Sequence, residues 1–287
     1  MRNNIKGVLT AIVTPFDAEG ELNLPGLTRQ VARQLDAGNG IFCGGTNGEF
    51  FVLNEAEKIA VTRTCVETVA GRAPVVAHIG EISTRDTIRL GKQIAALGVD
   101  AVSVITPYFV PLKQSELIAH YTAVADALTV PVFLYNIPAR TGNTLEPATV
   151  RALAEHPNIS GIKDSAGSDE SLRGFLNAVS DIDGFDVLNG PDSLIHQASS
   201  RDVQPVFPGW QTWRQRRSTP SGHALTRVML KVPGRRRSAS PDCAPSCTAW
   251  RFPLPLLKRP CKSWARMSER VAMPWRLASS SANRFAR

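Results

Sequence analysis

A chain of 287 residues, 43% of them apolar, is long enough for one large domain or two modest ones. No apolar run approaches the roughly 18 residues of a membrane span, and the five cysteines suggest no disulfide framework. The formal charge of +8 averages two unlike pieces: residues 1–197 hold 15 Lys and Arg against 22 Asp and Glu, whereas residues 198–287 hold 18 against 3.

Residues 1–6 lead into an apolar stretch that Pro15, Phe16 and Asp17 close, which reads as a first strand and not as a signal peptide. Cys43 and Cys65 are sparse and lie in apolar surroundings, which fits a cytoplasmic, reducing compartment. Further β-branched runs follow at residues 41–43, 74–79, 101–105, 132–135, 159–162 and 185–188. Successive runs begin 26 to 33 residues apart, the length of one strand plus one crossover helix. Helical signatures lie between them. Leu27, Val31 and Leu35 share a face before Gly38 and Gly40. Asn54 and Glu57 form a capping box, with Gly71 as the stop. Thr84 caps a segment carrying Ile88, Ile94 and Ala95 that ends at Gly98. Leu117, Tyr121 and Val124 make another stripe, and Glu146-Pro147 opens a helix that ends before Pro157.

Seven evenly spaced βα steps predict an α/β chain folded as a closed TIM (β/α)8 barrel rather than an open doubly wound sheet. A barrel keeps its chemistry at the C-terminal ends of its strands. The polar residues fall at those ends: Thr14, Thr46 to Glu49, Thr106-Pro107-Tyr108, Tyr135-Asn136, Lys163-Asp164 and Asn189-Gly190.

Lys163 is a lone amine at the polar end of the run 159–162. Burying an unpaired ammonium is costly. A lysine on an interior strand therefore suits a neutral, nucleophilic amine better than it suits packing. Imine chemistry on a keto acid is the leading reading, and a surface lysine just past a strand end is the bland one. Neighbouring strand ends lie roughly 5 Å apart in a barrel, so Tyr135 falls beside Lys163. There its phenol can shuttle protons, or it is simply a core aromatic. The run Gly44-Gly45-Thr46-Asn47-Gly48-Glu49 lets backbone N–H groups converge on an anion. No Gly-Lys-Ser/Thr follows, so a small carboxylate suits it better than a triphosphate; a tight turn explains at least one of the glycines. Arg140, on a Pro-stiffened loop past Tyr135, can grip a second carboxylate or substrate hydroxyls, or form a surface salt bridge. His78, His120, His156, His196 and His223 show no ligand spacing, and Cys243 and Cys247 lack partners, so no metal is expected.

These motifs together resemble the dihydrodipicolinate synthase / N-acetylneuraminate lyase family of pyruvate-dependent class I aldolases. The resemblance runs from about Gly7 to about Gln197. It rests on Gly45-Thr46-Asn47-Gly48-Glu49, Thr106-Pro107-Tyr108, the run from Tyr135 to Gly142, and Gly161-Ile162-Lys163-Asp164. It implies a TIM barrel with a C-terminal helical extension, assembled as a homodimer or as a homotetramer of tight dimers. It implies Lys163 as the Schiff-base lysine, Tyr135 as the proton-shuttling tyrosine, and Thr46 with its neighbouring backbone as the holder of the pyruvate carboxylate. Gly45, Asn47, Tyr108, Arg140 and Gly190 would line the substrate pocket. No cofactor is implied beyond the covalent imine. Two positions depart from the synthases: Asn47 stands where they usually have a second Thr, and Phe109 where they lend a tyrosine across the dimer. Both favour retro-aldol cleavage of a 2-keto-3-deoxy sugar acid or of 4-hydroxy-2-oxoglutarate, releasing pyruvate and an aldehyde. The alternative is the synthase reaction, in which pyruvate condenses with aspartate semialdehyde.

The composition breaks near Gln197. All five Trp lie beyond it, at 210, 213, 250, 264 and 275. Residues 1–197 read as the barrel body with strands one to seven, and residues 198–287 as an aberrant basic tail. Taking the last base of each codon with the first two of the next, residues 206–212 can encode Ile-Ser-Gly-Leu-Ala-Asn, the eighth-strand pattern of the family. One base lost near codon 197 explains the break. The tail is therefore not expected to supply an eighth strand or the closing helices, which would leave open edges; an inactive relic is a further alternative. A nucleic-acid-binding tail using Arg235, Arg236 and Arg237 is the weaker rival, because the tail lacks sustained periodicity.

Overall fold

The structure is a computed structural model that describes residue 5, residues 7–194 and the backbone of residues 204–207. Eight parallel strands close in sequence order into a barrel. They are β1 (Leu9–Ala11), β2 (Gly40–Cys43), β3 (Val75–His78), β4 (Ala101–Ile105), β5 (Val132–Asn136), β6 (Ile159–Asp164), β7 (Asp186–Asn189) and β8 (Gln204–Phe207). Each of the first seven falls within two residues of an apolar run read from the sequence.

The helices outside the barrel are α1 (Leu24–Asp36), α2 (Glu55–Val69), α3 (Thr84–Ala95), α4 (Gln114–Ala127), α5 (Pro138–Thr141), α6 (Pro147–Ala154) and α7 (Asp169–Ala178). The Asn54–Glu57 capping box is formed in both directions, at 2.8 and 2.9 Å. Ala70 then turns left-handed at φ 47°, one residue ahead of the glycine expected to stop α2. Ser83, not Thr84, caps α3, because its hydroxyl accepts the Asp86 N–H at 3.1 Å. The Thr84 hydroxyl instead meets His120 Nδ1 at 2.8 Å.

Side-chain alternation along the strands makes two apolar layers. Leu9, Ala11, Phe42, Val76, Ala101, Phe133 and Leu188 pack together and fill the barrel. The alternate residues, such as Ile41, Cys43, Ala77, Val102 and Leu134, pack against the inward stripes of the helices. This rigid double layer holds the strand ends, and hence the site, in fixed register.

The eighth strand corrects the expectation of an open barrel. Val206 and Phe207 pair with Leu9 and Thr10 of β1, and Gln204 and Pro205 pair with Leu188 and Asn189 of β7. The reason is physical: β1 and β7 each present an unpaired main-chain edge, and any extended segment between them satisfies both. Pro205 costs one donor and does not prevent this. The expected absence of closing helices, the tail arginines and the tail tryptophans all concern residues outside those described. Among the described residues no helix is long and apolar enough to cross a membrane.

Candidate active site

The site is assembled from the ends of β1, β2, β5 and β6. After β2 the chain must cross above the ring of Phe42. A Cβ on Gly45 would lie 2.3 Å from Phe42 Cε1, so only glycine permits that crossing. It delivers Thr46 into a short 3-10 turn, Thr46–Gly48. The Thr14 hydroxyl at the end of β1 donates to the Gly48 carbonyl at 2.7 Å and pins that turn.

Tyr135 and Lys163 are direct partners in the β5–β6 register. The period of two sends both side chains to the inner face. Lys163 is 6% exposed and Tyr135 2%. Lys163 Nζ stands 4.0 Å from the Tyr135 ring centroid and 4.2 Å from that of Phe42. The Tyr135 hydroxyl meets the Thr46 hydroxyl at 3.1 Å. An amine over the ring face of a phenol, and an alcohol on that phenol's hydroxyl, therefore line a path at the mouth of the barrel, walled by aromatic rings.

The next residues on the same strands hold the path in place. Asn136 Nδ2 donates to Asp164 Oδ1 at 2.8 Å, both side chains being buried. Asn136 Oδ1 accepts the Leu145 N–H at 3.1 Å, and the Gly190 N–H donates to the Asp164 carbonyl at 2.8 Å. Burial pushes the Asp164 carboxyl above its ordinary value, against the hydrogen bonds from Asn136, the Ala166 amide and Ser171.

The other candidates fall unevenly. Gly45 and Gly190 are buried at strand ends, as expected for a pocket lining. Tyr108 is half-buried, with its ring edge-on to Phe50 at 5.9 Å in the cluster that includes Tyr135. Burial, and then the charge of Glu81, push its phenol up. Asn47 and Arg140 are exposed and touch none of the three central residues. The surface salt bridge offered as the plain reading of Arg140 is not formed among the described residues.

Sequence reasoning passed over Phe42 and His78. His78 is 4% exposed and lies edge-on to Phe50 and Tyr135, with ring centroids 4.6 and 5.9 Å away. Burial, then the charges of Lys163 and Lys58, push it down to about 3, against a weaker pull from the Ser103 carbonyl. It is thus a neutral imidazole beside the amine. The signal was present: His78 sits on the inner parity of β3, two residues after Val76. Among the described residues no group of three or more His, Cys, Asp or Glu side chains is placed to hold a metal ion.

A buried lysine and tyrosine paired at adjacent strand ends of a parallel barrel form an arrangement that can carry imine chemistry. Residues 4–204 match the model of the dihydrodipicolinate synthetase family, and the chain belongs to that family. It is 39% identical over 191 residues to a 4-hydroxy-tetrahydrodipicolinate synthase of Exiguobacterium sibiricum, covering 66% of this chain and 64% of that protein. It is 42% identical over 190 residues to the synthase of Stenotrophomonas maltophilia, covering 66% and 63%. The chain thus spans less than two thirds of the length of these curated relatives. Among solved structures it is similar to the chloride-inhibited dihydrodipicolinate synthase of Acinetobacter baumannii complexed with pyruvate. That match has 33% identity and a TM-score of 0.68, over 71% of this chain and 69% of that one. It is also similar to the 4-hydroxy-tetrahydrodipicolinate synthase of Methylacidiphilum fumariolicum SolV, with 33% identity and a TM-score of 0.72, over 79% and 74%.

Proposed function

We propose that this chain is a Schiff-base-forming enzyme that condenses pyruvate with an aldehyde in the manner of a 4-hydroxy-tetrahydrodipicolinate synthase, with aspartate semialdehyde as the aldehyde. The supporting observation is the juxtaposition of Lys163 Nζ, 4.0 Å from the Tyr135 ring, with a Tyr135 hydroxyl 3.1 Å from Thr46. The Lys163 amine attacks the keto carbon of pyruvate and water leaves, giving an imine. Thr46 and the N–H groups after Gly45 hold the carboxylate. Tyr135 carries protons to and from the carbinolamine and the methyl carbon, passing them along the Thr46 hydroxyl. The resulting enamine carbon attacks the aldehyde, and Arg140 meets the carboxylate of that second substrate.

The synthase reading displaces retro-aldol cleavage as the first choice because the relatives above are synthases. Cleavage of a 2-keto-3-deoxy acid is the second reading on two observations: Asn47 offers an amide in place of a second Thr hydroxyl, and Phe109, 89% exposed, has no hydroxyl to lend a relay. One experiment addresses both. The protein is incubated with pyruvate and borohydride, and its mass is expected to rise by one reduced pyruvate adduct mapping to Lys163. An adduct elsewhere, or none, refutes the Schiff-base reading. Condensation with aspartate semialdehyde, without pyruvate release from 2-keto-3-deoxy acids, supports the synthase; the reverse supports the aldolase.

A further inference from the structure

The loop between β4 and α4 carries Tyr108, which packs towards Tyr135, and Phe109, which points away from it. Phe109 has φ 82° and is 89% exposed. A bulky residue in the left-handed region is strained, and such a residue persists only where its surroundings over-determine it. Among the described residues, one side chain hydrogen-bonds to the main chain on both sides of Phe109. Asn143, 3% exposed, follows the short helix α5 that carries Arg140. Its Nδ2 donates to the Pro107 carbonyl at 2.7 Å and to the Val110 carbonyl at 2.9 Å, and its Oδ1 accepts the Leu112 N–H at 2.8 Å. Both amide hydrogens and the acceptor are therefore spent on main-chain groups that bracket Phe109. The backbone of Asn143 is fixed in turn. Its carbonyl accepts the Thr141 hydroxyl at 3.0 Å, and the Thr106 hydroxyl donates to Thr141 Oγ1 at 2.9 Å.

We propose that Asn143 is a specificity-positioning residue, which locks the Tyr108–Phe109 loop to the Arg140 turn so that the two arms flanking the second-substrate side of the mouth act as one rigid jaw. This rests on the function proposed above. The chemistry assigns it to the second substrate. The groups for the first half-reaction, Lys163, Tyr135 and Thr46, are held by β5, β6 and the β2 turn. None of them hydrogen-bonds to Asn143. The side-chain hydrogen bonds of Asn143 run only to the loop between β4 and α4. Its amide is the one side-chain type that can donate twice and accept once in this geometry.

The test separates the half-reactions in the full chain. Asn143→Ala and Asn143→Asp are compared with wild type for borohydride trapping of pyruvate and for KM and kcat with the aldehyde substrate. Trapping needs an intact barrel and so serves as the folding control. The expected result is trapping within about twofold of wild type, with KM for the aldehyde raised about tenfold or more in both variants. The Asp variant is expected to recover partly as pH falls, because a protonated carboxyl regains one donor to the facing carbonyls. An unchanged KM overturns the proposal. So does a parallel loss of trapping and turnover, which marks Asn143 as merely structural. A wild-type chain that traps no pyruvate at Lys163 instead refutes the underlying Schiff-base reading.

Discussion

At the scale of single residues, His78 shows how burial sets chemistry. Its folded value of about 3 lies below the ordinary 6.5, so the native state binds fewer protons there than the unfolded chain does. The stability this contributes is present above pH 6.5 and is lost as pH falls towards 3. His120, pushed down to about 4 by burial, acts in the same direction. Each costs about 1.4 kcal/mol per pH unit inside its window. Between pH 6.5 and 5, above most carboxylate titrations, the unfolding free energy is expected to drop by about 3 kcal/mol for the pair. His78→Phe keeps a ring against Phe50 and Tyr135 and is expected to roughly halve that drop in urea titrations. Identical pH slopes for variant and wild type would rule out a neutral buried His78.

At the scale of elements, legibility followed the strength of the local signal. The strands were readable because β-branched residues recur at a crossover spacing. Helix α2 was readable because Asn54 and Glu57 satisfy two orphan N–H groups, and Asn54→Ala is expected to lower stability by about 1 kcal/mol in thermal or urea melts. Helix α7 was passed over, although Ser168 accepts the Ser171 N–H at 3.0 Å and Leu172 and Phe175 are buried at helical spacing. Four-residue α5 offers no period to read. Among the candidate residues, the adjacency of Lys163, Tyr135 and Thr46 was legible from residue type and strand-end position. Asn143 was not, because the role proposed for it rests on hydrogen bonds to carbonyls more than thirty residues away, and nothing in a short polar turn announces them. The eighth strand was missed for a related reason: its pairing depends on main-chain edges that no side-chain pattern encodes.

At the scale of the whole molecule, the match to the family ends at residue 204, close to where the composition changes. We propose that a single base lost near codon 197 accounts for both. Sequencing the gene across codons 190–205 is expected to find that a restored base returns the eighth-strand pattern Ile-Ser-Gly-Leu-Ala-Asn; an intact frame there would defeat this explanation. Strand β8 carries a consequence of its own. Its place is bounded on both sides by amide and carbonyl groups, and these recognise an extended backbone whatever residues it bears. The slot between β1 and β7 is in that sense a socket. A version of the chain ending before residue 204 is then a natural acceptor for a separately supplied strand, in the way that split proteins are reconstituted by a peptide. Any short β-forming sequence can compete for the position, including one from another chain.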